Sequence, residues 1–402
     1  MLNQGINVLV ALILTPYLFR TLGEEKYGLV SLALTVVLLF GMVVNYGFNL
    51  NIPKKLALIQ NDLKAKEELI NDVVSTRLIF SLALAFILFI SINYAGLFPG
   101  YGVILLFSLV QLFNDAVYPL FILQGFDRLS WIAKANALAK ITYLVSVILI
   151  VNSTAQAYWV NFLLGSTGLM VHFILIVLVY RVEGMTFRFA QVSKVKFWIR
   201  ENFQFFSSTV ASYLSINGGF ILLKSFVTES ELGFFALAQR VAILLRMIPI
   251  FLAQSILQIA TRLYTNNKNE FEQYLNRAYK NGVALTLVVA VFLAFSSSWV
   301  VRILAGEYIP LSANLMRILG FVPFIGMLNV KNVIHILIRE QKRVLAKASW
   351  YTAIITCLFA AVGSAYWGSY GLAFALLLTE SFSFWIHKIL LNKVLDDRPT
   401  ML

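Results

Sequence analysis

The sequence has few of the residues that build disulfide frameworks or metal sites: 402 residues include one cysteine and three histidines. The lone Cys357 has no partner within the chain, which excludes an internal disulfide. His172, His335 and His387 are scattered and lack the spacing of metal ligands. We therefore expect neither a metal site nor another cofactor.

Catalytic signatures are also missing. The sequence contains no Walker motif, no glycine-rich dinucleotide loop and no HExxH motif. We therefore expect the chain not to be an enzyme and not to draw energy from ATP that it binds itself.

Charged residues make up only 13% of the chain, whereas 60% of the residues are apolar and the mean hydropathy is +0.81. This composition is typical of integral membrane proteins. A transmembrane helix needs about 20 predominantly apolar residues. Twelve segments meet this requirement, which predicts an all-α membrane protein: residues 2–20, 28–52, 73–95, 101–124, 130–151, 156–180, 203–227, 232–261, 279–304, 310–338, 344–366 and 370–391.

The 32 basic residues are distributed unevenly among the connections between these segments. Most of them, with Arg77 counted among them, fall in the even-numbered connections and the C-terminal tail, whereas three odd connections (NYAGLFPG, NSTAQ and YWGSYG) carry no charge. The positive-inside rule then places both termini in the cytoplasm. Topology explains the net charge of +13 better than nucleic-acid binding does, so we expect contact with membrane lipids and none with nucleic acid.

A weak internal repeat runs through the chain. The segment GEEKYGLVSLALTV aligns with TESELGFFALAQRV 205 positions later, and the same shift pairs Glu67 with Glu272 and Asn71 with Asn276. After a slippage of eight residues, IAKAN falls on LAKAS. Two six-helix bundles related by a parallel pseudo-two-fold repeat are predicted. Their bounds are residues 1–181 and 203–402, joined by an amphipathic cytoplasmic linker at 182–202.

The opening LNQGINVLVALILTPYLFRTLGEEKYGLVSLAL, together with NYGFNLNIPKKLA, resembles Wzx-type O-antigen flippases, which are polysaccharide-transport members of the MOP (MATE-like) superfamily. The second half continues the likeness through ELGFFALAQRV and ILAGEYIPLSANLMRILGFVPFI. The resemblance implies a MATE-like fold and alternating access. It also implies a substrate, an undecaprenyl-pyrophosphate-linked oligosaccharide carried across the bacterial inner membrane for O-antigen or another surface polysaccharide. Other polysaccharide assembly proteins and a coupling proton or sodium ion are candidate partners.

Four basic residues fall well inside predicted helices: Arg240, Arg246, Arg317 and Lys331. An ionised side chain at mid-bilayer costs about 2.5–3.5 kcal/mol on insertion scales, so each should face the bundle interior or a hydrated cavity. At about 100° per residue, Arg317, Lys331 and His335 fall on one side of their helix and form one polar stripe.

A second shared face joins Gln239 to Arg246, while Arg240 is rotated away from it. Guanidinium and ammonium groups suit a pyrophosphate or an acidic sugar, so we expect these cations to bind substrate, Arg246 foremost. The alternative is internal pairing with Asp115 or Glu380, the carboxylates deep in predicted helices, or snorkelling to an interface. Arg240 is the more suitable partner for a carboxylate.

A further polar face carries Gln111, Asp115 and Tyr118 at i, i+4 and i+7. These residues could bind sugars, Asp115 could carry a coupling proton, or Asp115 could lock two helices through a salt bridge. Glu380 and Asn45 are further polar or ion-coupling candidates, and Asn45 stands where members of the resembling family often have an acidic residue.

Two other functions compete with the flippase. A MATE-like exporter of small organic cations predicts a cavity dominated by carboxylates, whereas cations outnumber carboxylates here. A membrane polymerase or glycosyltransferase usually needs a long extracytoplasmic loop, but every odd connection has about ten residues or fewer.

Overall fold

The computed structural model describes residues 2–59 and 61–396, and no β-strand occurs among them. Within these ranges the chain forms fourteen α-helices and a short 3-10 helix at Thr154–Gln156. The α-helices are α1 Leu2–Asn45, α2 Phe48–Leu58, α3 Leu63–Asn93, α4 Gly102–Ser108, α5 Val110–Val117, α6 Leu120–Gly125, α7 Leu129–Ile150, α8 Ala157–Val182, α9 Val192–Leu223, α10 Glu229–Asn266, α11 Lys268–Ala305, α12 Pro310–Leu319, α13 Val322–Ile338 and α14 Lys342–Asp396.

Ten helical stretches of the described chain are long and apolar enough to cross a membrane. Two of them, Gly5–Leu58 and Arg343–Lys393, contain 54 and 51 residues. Straight helices of that length would measure roughly 80 Å, more than twice the hydrocarbon thickness of about 30 Å. Both stretches must therefore bend or reverse.

The first stretch turns at Gly23, whose φ of 71° and ψ of 170° are not helical. The rings of Phe19 and Tyr27 lie with their centroids 5.3 Å apart. Eight residues of uninterrupted helix would separate their Cα atoms by about 12 Å along the axis. The ring contact therefore indicates that the chain folds back at Gly23.

The second stretch turns at Trp367 and Gly368, which also have non-helical backbone angles. Beyond this turn the chain returns so closely that a side chain on Gly371 would collide with the backbone of Gly363. Dividing both long stretches at their turns gives twelve apolar helical segments. The structure has ten continuous stretches instead of the twelve predicted segments because each of the two turns uses only one or two non-helical residues and does not interrupt the stretch.

Helix starts in the two halves coincide under the shift of the repeat. The N-cap Asp62 accepts a hydrogen bond from the backbone N–H of Ala65, and α3 begins at Leu63. At 205 positions further on, Asn267 caps α11 through the backbone N–H of Asn269. The starts of α7 and α14 are 213 positions apart, which is the same shift plus the slippage of eight. These boundaries support the register of the repeat.

The chain divides into two compact units, Met1–Val210 and Ala211–Leu402. The buried core of the first unit gathers apolar residues of α2, α3, α6 and α8 together with Trp198 at the start of α9. That of the second unit is formed by α10, α11 and α13, with Phe271, Leu275 and Met327 at its centre.

The segment 182–202 is tied to the first unit by polar contacts with α3. Lys66 binds Glu183 at 2.6 Å, and the indole N–H of Trp198 donates to Asp72 at 3.0 Å. The amphipathic linker is therefore held against the bundle that precedes it.

Candidate functional site

The second unit contains a pocket of about 410 Å³, part of it open to the surroundings. The polar lining comes from α9, α10 and α14, and the α12–α13 region adds an apolar wall. The polar residues are Ser215, Gln239, Arg246, Thr379 and Glu380. Gln239 and Arg246, which share a helix face by periodicity, therefore line one pocket.

An ion pair links Arg246 on α10 to Glu380 on α14 across this pocket, with Nη2 of the arginine donating to Oε1 of the carboxylate. The two side chains are 26% and 13% exposed. Arg240 is half-buried and forms no ion pair or hydrogen bond with a side chain in the described ranges. The expectation that Arg240 would take the carboxylate is therefore wrong, because Arg246 is the residue whose face of α10 looks toward α14.

A buried hydroxyl in the same pocket lacks a partner. Thr379 Oγ1 is inaccessible and has no hydrogen bond to the part of the chain that the structure describes. A buried polar group without a partner costs free energy. A polar ligand in the pocket could provide the partner, and Gln239, at 7% exposure, could contribute further hydrogen bonds.

Arg317 lies on α12, and its guanidinium is held only by neutral groups. Its Nε and Nη2 donate to the hydroxyls of Ser297 and Ser298 at 3.0 Å, and Nη1 donates to Asn314 Oδ1 at 2.8 Å. No carboxylate of the described residues lies within ion-pair distance of it. The site thus orients the guanidinium without neutralising it.

Lys331 and His335 lie on α13 and contact α11 near its N-terminal end, whereas Arg317 contacts α11 nearer its C-terminal end. Lys331 Nζ donates to Asn276 Oδ1 at 2.7 Å, and His335 Nε2 lies 3.6 Å from Glu272 Oε1.

The predicted polar stripe is partly retained, because Arg317, Lys331 and His335 all contact residues of α11, but they do not form one site. The helix expected over residues 310–338 is interrupted at Gly320 and Phe321, between α12 and α13. The α11 partners of Arg317 and Lys331 are also more than twenty residues apart, or about 30 Å along that helix. The cations therefore form separate sites.

In the first unit, the predicted polar face is only partly retained. Gln111 donates to Asp115 Oδ1 at 3.0 Å, and the carboxylate packs so closely on Gly41 that a Cβ there would collide with it. Tyr118 departs from this face because α5 ends at Val117. Its hydroxyl accepts a hydrogen bond from Asn136 instead, at 3.0 Å.

Arg77 is a buried cation that the sequence analysis misplaced in a cytoplasmic connection. It is 0% exposed. Nη2 donates to Asn45 Oδ1 at 2.9 Å and to Asn49 Oδ1 at 2.8 Å, while Nη1 donates to the carbonyl of Tyr118 at 3.0 Å. The guanidinium also stacks over Phe121 at 4.6 Å. Asn45, an ion-coupling candidate, serves in this structure as a ligand of Arg77.

Sequence reasoning also gave no role to His172, which is buried in the first unit. Its Nδ1 lies 2.7 Å from Asn114 Oδ1, and its Nε2 lies 2.9 Å from Asn136 Oδ1. Through Asn136 the histidine joins the hydrogen-bonded group around Tyr118. Two asparagines within apolar helices were the sequence signal that could have indicated this network.

No group of three or more histidine, cysteine, aspartate or glutamate side chains in the described ranges could hold a metal ion.

Among solved structures, the fold is similar to an inward-facing multidrug resistance MATE family transporter of the MOP superfamily, with a TM-score of 0.76 and 13% identity over 98% of this chain and 95% of that one. It is also similar to the lipid II flippase MurJ in an inward closed conformation, with a TM-score of 0.73 and 15% identity over 98% and 86% of the two chains. The fold therefore defines a multi-pass membrane protein of the MATE type.

The sequence narrows this class. Residues 1–257 match the family model described as polysaccharide biosynthesis protein, so the chain belongs to that family. Two relatives, from Escherichia coli K12 and Shigella dysenteriae, are each named "Putative O-antigen transporter" and are 23% and 22% identical. The alignments cover 94% of this chain in both cases, and 91% and 95% of the relatives. These findings confirm the resemblance and show that the chain belongs to a family of transporters and not of enzymes.

Proposed function

We propose that this protein is a flippase. It moves an undecaprenyl-pyrophosphate-linked oligosaccharide, the repeat unit of O-antigen or another surface polysaccharide, across the bacterial inner membrane by alternating access with both termini in the cytoplasm. Membership of the polysaccharide biosynthesis family and the names of the two relatives support a role in polysaccharide transport. The anionic nature of the substrate is supported by the charges described next, and its lipid link is what the resemblance implies.

The observation that carries this proposal is the surplus of positive charge inside the helices of the second unit. Of the four cations expected there, Arg246 and Lys331 lie beside carboxylates, whereas Arg240 and Arg317 have no ion pair within the described chain. Charges in the hydrocarbon region are costly unless they are compensated or hydrated. An anionic substrate compensates them, and guanidinium groups bind phosphate oxygens in a bidentate manner.

The pocket of the second unit offers polar groups for both parts of such a substrate. The pyrophosphate would compete with Glu380 for Arg246, while Gln239 and Thr379 would bind sugar hydroxyls. Glu380, once Arg246 leaves it, is one candidate for ion coupling. A second candidate is Asp115 in the first unit.

The test is export in cells. A strain whose surface polysaccharide depends on this gene receives the wild type, Arg317→Ala or Arg188→Ala, and surface polysaccharide and lipid-linked precursor are quantified. Arg317→Ala should lower surface polysaccharide at least severalfold and accumulate the precursor on the cytoplasmic side, because the guanidinium held by neutral groups is lost. Arg188 is exposed in the segment 182–202 and serves as the charge-matched control.

Normal export by Arg317→Ala at wild-type protein levels would contradict the role of the cation. If loss of the gene changed resistance to small organic cations and left the polysaccharide intact, the MATE-like exporter would be the better interpretation.

A further inference from the structure

The end of the second unit where α11 begins carries a ladder of basic side chains. Lys331, His335 and Arg339 are spaced at i, i+4 and i+8 along and just beyond α13, which places them on one side of it. Lys331 and His335 face Glu272 and Asn276, which are themselves four residues apart on α11. A permanent cation and a histidine thus share one carboxylate, and Arg339 contacts the histidine.

That carboxylate is loosely held. Glu272 Oε2 lies 4.0 Å from Lys331 Nζ, and Glu272 Oε1 lies 3.6 Å from His335 Nε2, both beyond hydrogen-bond range. The Glu272 side chain is 45% exposed and accepts no hydrogen bond from the described residues. Exposed ion pairs of this kind contribute little stability, so another anion can displace the carboxylate.

The basic groups, in contrast, are oriented. Asn276 Oδ1 accepts a 2.7 Å hydrogen bond from Lys331. Arg339 Nη1 lies 2.9 Å from His335 Nδ1, and the guanidinium stacks over Tyr264 at 5.7 Å. Only Nη1 of Arg339 is engaged by described groups, which leaves N–H donors of a rigid fork available to a ligand.

The repeat supplies an independent comparison. Glu67 and Asn71 of α3 correspond to Glu272 and Asn276 of α11, and in the first unit this pair is occupied by the chain itself. The Thr186 hydroxyl donates to Glu67 at 2.8 Å, and Asn71 Nδ2 donates to the Thr186 carbonyl at 2.9 Å. In the second unit none of the described residues takes the place of Thr186, and basic side chains surround the position instead.

We propose that Lys331, His335 and Arg339 form a binding site for a phosphate group, with Glu272 as the counter-ion that the phosphate displaces. The proposal rests on the proposed function, in which the ligand is the pyrophosphate of the lipid-linked substrate. An anionic phospholipid headgroup presents the same chemistry. The site lies about 30 Å along α11 from the serines that hold Arg317, so it would act at the opposite end of the translocation path.

Binding is measured on the purified full-length chain in nanodiscs of phosphatidylcholine. A long-chain polyprenyl pyrophosphate and phosphatidylglycerol are titrated separately into wild type, Lys331→Gln, Arg339→Gln and Glu272→Gln. Loss of one charge-assisted hydrogen-bond donor should weaken binding on the order of tenfold. Glu272→Gln should strengthen binding because the competing carboxylate is gone. Glu67→Gln, at the repeat-equivalent position, should leave the affinity unchanged.

Weakening confined to the polyprenyl pyrophosphate would identify the substrate as the ligand, and equal weakening for phosphatidylglycerol would identify a headgroup site. Equal affinities in all variants, or weaker binding by a Glu272→Gln protein that melts like the wild type, would overturn the site. The cellular export test is independent of this one: a chain that binds pyrophosphate here without exporting polysaccharide refutes only the proposed function.

Discussion

Replacement of Arg77 by alanine should destabilise the first unit more than replacement of any exposed arginine. The substitution leaves three partly buried acceptors, Asn45 Oδ1, Asn49 Oδ1 and the Tyr118 carbonyl, without their donor. Each unsatisfied buried group costs about 1–3 kcal/mol in soluble proteins, although hydrogen bonds between membrane helices average only about 0.6 kcal/mol. The packing over Phe121 is lost as well. Together the three lost hydrogen bonds and the lost packing predict a destabilisation of about 2–5 kcal/mol.

The assay is thermal unfolding of the purified protein in detergent, followed by the fraction that remains monodisperse after heating. Arg181→Ala, at an exposed position at the end of α8, is the control and should melt like the wild type. In a double-mutant cycle, Arg77→Ala combined with Asn49→Ala should cost less than the sum of the single changes, since both remove the same 2.8 Å hydrogen bond. An Arg77→Ala protein within about 1 kcal/mol of the wild type would refute the view that these contacts hold α3 in place.

Two further changes test other contacts. Gly371→Ala should lower the yield of folded protein because the added Cβ would push the backbone at Gly363 away, at a cost of about 1–3 kcal/mol. Size-exclusion chromatography measures the folded fraction. The control Gly5→Ala should be neutral because a Cβ there would have no neighbour within 4 Å. Glu380→Gln should destabilise the second unit by about 2 kcal/mol because Arg246 loses its counter-ion, less than for a fully buried pair since both side chains are partly exposed. Thermal unfolding of Glu380→Gln is compared with that of the double variant Arg246→Gln/Glu380→Gln, which also removes the unpaired arginine. A double variant less stable than Glu380→Gln alone would argue against the ion pair.

The membrane class and the apolar helical segments were predictable because both depend on local composition. Apolar runs mark the spans, and Asp62 and Asn267 mark equivalent helix starts. Arg77 was misplaced although it lies inside the apolar segment 73–95, because its charge was counted with the basic residues of the preceding connection. The helix α3 begins at Leu63, ten residues before that segment, and Arg77 is buried within the first unit.

The partners of the charged residues were not predictable from periodicity alone. Helical spacing showed that Arg240 and Arg246 face different directions, but only the packing of α10 against α14 decides which of them meets Glu380. The break at Gly320 likewise separates Arg317 from the ladder on α13, and a short interruption of this kind leaves the hydropathy of the segment unchanged.

The two units differ in the pairing of their charged side chains at the ends where α3 and α11 begin. In the first unit, Lys66 and Arg128 both bind Glu183 of the linker, at 2.6 and 2.8 Å, so the basic side chains there already have a counter-ion. In the second unit, Lys331 has only the loosely held Glu272 as a counter-ion, and Arg339 has no ion pair with the described residues. The less compensated positive charge therefore lies on the second unit, where we propose the phosphate site. At the repeat-equivalent position of the first unit, the corresponding side chains bind the segment 182–202 instead.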